Sequence, residues 1–186
     1  MGFSKAALGR LAAEVRQELG LSDAVPFDPH LWAREYGVPF VSIDEVAASP
    51  EAVEYFIRDR PDRWSAALLK NGSGHIVVYN SAHSVVRVRS NLAHEVAHLV
   101  AEHVLTSSWI DGDGCAGVGR SQETEAAELA GALLVPANAA KVHAMRGSPA
   151  SSLAARFEVS IEMATWRMRA SGGAKIAERA QMRRRR

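Results

Sequence analysis

Cysteine is almost missing from this chain: among 186 residues, Cys115 is the single thiol. One thiol excludes an intrachain disulfide framework, and without a second cysteine no CxxC metal site can form. That economy fits a reducing cytoplasm. Also missing is any apolar stretch near the roughly 20 residues a membrane span needs. The opening stretch MGFSKAALGRLAAEVRQELG carries charges throughout and lacks the continuous apolar core of a secretory signal. Ala6 stands where a myristoylation pattern requires Ser or Thr. Net charge is close to nil, at +1, so nothing global draws the chain to nucleic acid. The strongest local excess, MRRRR at 182–186, is a short run at a chain end, and such runs usually stay solvated. No internal repeat is visible. These absences lead us to expect a cytoplasmic protein with no membrane role and no direct nucleic-acid binding.

What remains is ordinary globular material, 47% hydrophobic and 23% charged, enough for one core at this length. Apolar residues at helical spacing (Ala7, Leu8, Leu11, Val15, Leu19) predict an N-terminal helix over 4–19, stopped by Gly20. In DPHLWAREYG, Asp28 can cap a second helix, Pro29 suits its first turn and Gly37 ends it. VPFVSI is strand-like, and DEVAAS is a short turn or helix. Trp64–Leu69 and His75–Tyr79 read as a hairpin joined by Asn71, Gly72, Ser73 and Gly74. A helix follows in RSNLAHEVAHLVAEHVL, with Ser90 or Asn91 as its cap. Residues 106–121 form a loop, and SQETEAAELAGALLVP is a helix stopped before Pro136. Further helices are expected at about 137–145, 150–157 and 160–170. Helices, then a small sheet, then helices make an α+β chain. We expect one domain over 1–170, with a core at about 30–136 and closing helices at 137–170. A flexible basic tail should occupy 171–186.

The chemistry concentrates in NLAHEVAHLV. His94 and His98 are one helical turn apart, so their rings point the same way and can share a metal. Zinc accepts imidazole nitrogen, and a catalytic zinc takes three protein ligands and keeps one position open. Glu95 could then take a proton from attacking water and pass it to the leaving amine. The bland alternative is the polar side of a surface helix. Leu92, Ala93, Val96, Leu99, Val100 and Val104 fill one arc of this helix, while His94, Glu95, His98 and Glu102 fill the other. Any surface helix can show such a split, so this helix alone does not decide.

The third ligand has candidates in ETEAAELAGALLVP. Glu123 falls inside the apolar arc of that helix, Glu125 just beyond its edge, and Glu128 well outside. A core-facing carboxylate needs a positive partner, which favours Glu123 as a metal ligand and leaves Glu125 as the fallback. A first-turn Glu that merely favours the helix dipole is the plainer reading.

These two helices in this order resemble the ImmA/IrrE family of zinc-dependent metallo-endopeptidases. Members typically show an alanine before HExxH and often a histidine after it. A Glu-x-Glu-Ala helix ending in Leu-Leu-x-Pro follows, here Leu133, Leu134, Val135 and Pro136. The similarity extends over about 30–170, from HIVVYN, Arg87 and Arg89 to LAARFEVSIEMATWRMR. It implies a zincin-like fold of the gluzincin type, Zn2+ held by His94, His98 and Glu123, and Glu95 as the catalytic base. It also implies a protein substrate, often a helix-turn-helix repressor encoded nearby, whose cleavage relieves repression under stress or in a mobile element. Manganese or iron would suit the same two imidazoles and one carboxylate. Ala127 stands where the family usually has Asn or Asp, a residue that often steadies a ligand. That substitution keeps open a non-catalytic regulatory or toxin–antitoxin partner that retains the fold.

Other residues carry weaker signals. His103, nine positions past His94, is expected to point away from the ligand side as a packed or surface histidine. His75 and His83 are expected at the surface, and Cys115 as a bystander. His143 could steady an oxyanion. Residues 151–170 resemble a helix-turn-helix, which would make the chain a DNA-binding regulator. Against that, the second helix has only Arg167 and Arg169, on nearly opposite sides, while Ile161, Ala164 and Met168 share a face suited to packing.

Overall fold

A computed structural model describes residues 2–46, 49–103 and 119–184. Val104, Cys115 and most of the expected loop at 106–121 lie outside these residues. The chain is mixed α+β, with nine α-helices and one three-stranded sheet among the described residues. It divides into two compact units, one of residues 3–27 and 128–186, the other of Gly2 and residues 28–127.

The second unit begins with helix α2 (Pro29–Tyr36), capped by Asp28, whose Oδ1 accepts from the His30 amide at 2.9 Å. Gly37 closes it at φ 66°, a left-handed turn that an L-residue resists. Strand β1 (Phe40–Ser42) follows, then a 3-10 turn at Ile43–Glu45. Helix α3 (Pro50–Glu54) runs into a π-helical turn, Tyr55–Asp59, a segment for which the sequence offered no assignment. Strands β2 (Ala66–Asn71) and β3 (Gly74–Tyr79) form the expected hairpin. Asn71 pairs with Gly74, so the loop is the two residues Gly72 and Ser73, with Gly72 at φ 60°. The sheet order is β1-β3-β2, and β1 runs parallel to β3.

Asn80, fully buried at the end of β3, ties this unit together. Its side-chain amide donates to the carbonyls of Phe56 and Trp64 at 2.8 and 3.1 Å, and its Oδ1 accepts from the Ala82 amide at 3.0 Å. The chain then enters helix α4 (Val85–Val100), which packs on β2 and β3. Its cap is Ser84, whose Oγ accepts from the Arg87 amide at 3.4 Å, and not Ser90 or Asn91 as expected. Three valines in the first turn (Val85, Val86, Val88) disguised it, because β-branched residues are weak helix formers that tertiary contacts override.

The first unit holds α1 (Lys5–Glu18), capped by Ser4. Helix α5 (Arg120–Leu134) crosses the boundary between the units after Ala127. It is followed by α6 (Ala137–Met145), α7 (Ala150–Phe157) and α8 (Ile161–Ala170). Two buried arginines receive the carbonyls near the end of α5. Arg16 Nη1 donates to Leu133 O at 2.7 Å, and Arg167 Nε to Val135 O at 3.1 Å. Both cations meet the negative end of the helix dipole, where charge-assisted bonds offset part of their burial. The basic end was expected to be loose. Instead Gly173–Arg184 forms helix α9, which packs on α6. Gly173 permits this: a Cβ there would lie 2.5 Å from the Lys141 carbonyl. Among the described residues, no helix is long and apolar enough to cross a membrane.

Candidate metal centre

Helix α4 does not turn its polar side to solvent. Glu95 and His98 are 3% and 2% exposed, as deeply buried as Leu92 and Val96 on the apolar arc. A surface helix would leave those groups hydrated. Here they are withdrawn from water, which is costly unless they meet partners.

Helix α5 supplies one. Its N-terminal half brings Glu123 to the two histidines, with Glu123 Oε2 3.1 Å from His94 Nε2 and Oε1 3.5 Å from His98 Nε2. The two Nε2 atoms lie 3.1 Å from each other. Ligand atoms of His94, His98 and Glu123 all fall within 4.8 Å. Two observations fit this trio to a cation. Glu123 Oε1 is buried without a hydrogen-bond partner. The facing imidazole nitrogens can share only one proton, so lone pairs converge there with little to receive them. Two imidazoles and a carboxylate form a donor set suited to zinc and to other divalent transition metals.

The electrostatics agree at two of the three groups, His98 and Glu123. Burial opposes a proton on His94, but the hydrogen bond to Glu123 and the charges of Glu95 and Glu123 outweigh it and raise its pKa. Burial, reinforced by His94 and His103 against the pull of Glu123, lowers His98 from 6.5 to about 4. Burial pushes Glu123 up, but the hydrogen bond from His94 and the charges of His98, His94 and His103 bring it below the ordinary value. A neutral imidazole at His98 and an ionised Glu123 are the states that coordinate metal.

Glu125, the fallback ligand, faces elsewhere. Ser121 Oγ donates to its Oε1 at 3.2 Å, and its Oε2 lies 3.6 Å from His103 Nε2. Glu128 pairs with Lys5, both within the first unit. Ala127 is exposed. His103, expected to point away from the ligand side as a packed or surface histidine, is packed: it is buried, with Nδ1 3.0 Å from Nδ1 of His98, on the ring edge opposite the Nε2 that faces Glu123. Helix α4 ends at Val100, so positions beyond it no longer follow the helical wheel. The signal that could have found it is the histidine following HExxH, read together with a helix stop.

The remaining candidates sort plainly. His75 and His83 are half-buried, and His83 Nε2 lies 2.7 Å from the Pro61 carbonyl. His143 Nε2 lies 2.8 Å from Ser152 Oγ. Arg167 is buried on the Val135 carbonyl, which removes it as a base-reading side chain. Ile161 is 54% exposed, so the expected packing face of α8 is carried by buried Ala164 and Arg167.

A family model described as the IrrE N-terminal-like domain, of peptidase family M78, matches residues 51–169, well over half of the chain. The match takes in α4, the histidine pair and all of α5. No curated protein matches the chain at a significant level.

Proposed function

The chain belongs to the IrrE N-terminal-like family of metallopeptidases, and on that premise we propose that it is a zinc-dependent endopeptidase of the cytoplasm. The observation that carries the reading is the burial of Glu95 and His98 on α4 beside a carboxylate, Glu123, that has a buried oxygen without a hydrogen-bond partner. His94, His98 and Glu123 would hold the ion, in a zincin-like arrangement of the gluzincin type.

A divalent cation held there supplies Lewis-acid chemistry, polarising the scissile carbonyl and lowering the pKa of water. The protein's own part falls to Glu95, which is buried and close enough to His94 to raise its pKa. Glu95 takes the proton that water sheds as its oxygen attacks the carbonyl carbon. It then delivers that proton to the nitrogen as the C–N bond breaks, leaving a free amine and a carboxylate. Burial of this carboxylate keeps bulk water from competing for the proton.

The substrate we propose is a helix-turn-helix transcriptional repressor, cut to relieve repression under stress. The support is family resemblance, together with the thiol-poor composition expected of a protein working beside its target in the cytoplasm.

The test pairs metal content with cleavage. Wild type, purified without added metal, should carry about one zinc per chain, and His98→Ala should carry far less. Glu95→Gln should keep the metal and cut the neighbouring repressor at least about 100-fold more slowly. If Glu95→Gln cleaves as fast as wild type, the general-base role is wrong. If wild type holds zinc and cuts no repressor, the chain is a regulatory partner that retains the peptidase fold.

A further inference from the structure

The proposed reaction leaves unused a pair of titratable side chains directly behind His98. The end of α4 places them there. The Glu102 amide donates to Leu99 O at 3.1 Å, and the His103 amide to His98 O at 3.0 Å. Glu102 sits at φ 51°. This is a Schellman turn, whose two closing bonds bring the residue after the left-handed position back over the last turn of the helix. That contact is commonly apolar. Here it joins two imidazoles, His103 and His98, with ring centroids 5.1 Å apart and planes at 71°.

The proton inventory assigns the roles. A neutral imidazole has one donor nitrogen and one acceptor. For the Nε2 lone pair of His98 to face Glu123 and His94, its proton must sit on Nδ1. His98 Nδ1 then donates across 3.0 Å to His103 Nδ1, which must be an acceptor. The proton of His103 is therefore on Nε2, a buried atom with no hydrogen-bond partner within reach. Glu125 Oε2 lies 3.6 Å from it, so a shift of about half an ångström closes a normal hydrogen bond. Ser121 holds the other oxygen of Glu125 in place. The direction of donation is consistent at every link, from His98 to His103 to Glu125.

We propose that His103 and Glu125 are positioning residues for the metal centre, an imidazole and a carboxylate in series that fix the tautomer and orientation of His98. The inference rests on the metal reading above and adds residues that the reading does not require. Metal-bound histidines generally donate their second nitrogen to such a partner, and losing the partner weakens metal binding. In this chain the task passes through an imidazole before it reaches the carboxylate.

The test measures cation affinity of the full-length protein by competition with a chromophoric chelator, using Zn2+ and Co2+, together with the visible spectrum of the cobalt form. His103→Phe keeps the ring bulk and removes the acceptor. It should weaken binding roughly 10- to 100-fold while keeping one ion per chain, and should alter the cobalt spectrum. His103→Gln, which restores a side-chain acceptor, should recover part of the affinity. Glu125→Gln should weaken binding in the same direction by less. If His103→Phe binds both ions as wild type does and only its metal-free unfolding midpoint falls, His103 is a packing residue and the proposal is overturned. Should His103→Phe fail to fold, Glu125→Gln decides, and wild-type affinity in that variant overturns it. If wild type itself takes up neither ion, the metal reading falls and this inference with it. Failure of the variants alone leaves the metal reading intact.

Discussion

Glu102 holds a left-handed backbone at φ 51° while its side chain is exposed. An L-residue there is disfavoured by about 1 kcal/mol against glycine, because its Cβ crowds the following carbonyl. Glu102→Gly should therefore raise the unfolding free energy, by somewhat less than about 1 kcal/mol once the greater freedom of an unfolded glycine is subtracted. Urea titration measures it, and a lower midpoint would show that the turn is not left-handed in solution. The same turn separates the residues that sequence reasoning reaches from those it misses. His94, Glu95 and His98 lie inside one helix, where spacing alone fixes the shared face. Glu123 was picked out as a carboxylate inside an apolar arc, yet its side chain is 32% exposed, and Glu125, placed at the arc's edge, is the buried one. His103 follows a change of backbone sign that no periodicity encodes, so its contact with the back of His98 could not be read from helical spacing. Glu125 stood at the edge of the apolar arc, and only its contacts with Ser121 and His103 show what it does.

Elements with local punctuation were readable in advance. Asp28, Pro29 and Gly37 bound α2 as expected, and Pro136 lies just beyond α5. Elements held by distant contacts were not. The first turn of α4 is rich in valine, and its cap at Ser84 emerges only when the helix lies on β2 and β3. Helix α9 has few apolar residues (GAKIAERAQMRR), so its sequence reads as a solvated end. Short helices owe most of their stability to docking, and here docking depends on a missing side chain. At Gly173 a Cβ would meet Lys141 O at 2.5 Å, Ala144 Cβ at 3.0 Å and Lys141 Cα at 3.1 Å. Backbone atoms cannot swing aside as the tip of a side chain can. Gly173→Ala should then force α9 away from α6 and lower stability by about 1–3 kcal/mol, outweighing its gain in helix propensity. Hydrogen exchange should show the loss of protection concentrated in 173–184. An unchanged pattern there would mean that α9 is not held against α6.

Stability of the whole chain should vary with pH through the groups of the candidate metal centre. In the metal-free protein His98 is lowered from 6.5 to about 4, chiefly by burial. The unfolded chain therefore takes up this proton before the folded one does, and stability is lost as pH falls from about 6.5 towards 4. Glu123, also lowered, contributes in the same sense below its ordinary range. His94 is raised, so its contribution runs the other way, being present at low pH and lost as pH rises through its folded value. The larger displacement belongs to His98, so the metal-stripped protein should melt at progressively lower temperature between pH 6.5 and 4. His98→Ala should flatten that part of the profile, because the depressed imidazole is gone. Bound metal should reshape the curve, since an ion that binds only the folded state adds stability as RT ln(1 + [M]/Kd), about 2.7 kcal/mol at a hundredfold excess over Kd. Acid then acts twice on the loaded protein: protons compete with the ion at His94 and His98, and the emptied site is itself less stable. Chelator should thus lower the melting temperature strongly at pH 7.5 and hardly at all near pH 4, where the ion has already been displaced. An equal effect of chelator at both ends would show that the stabilising ion is not held by histidine.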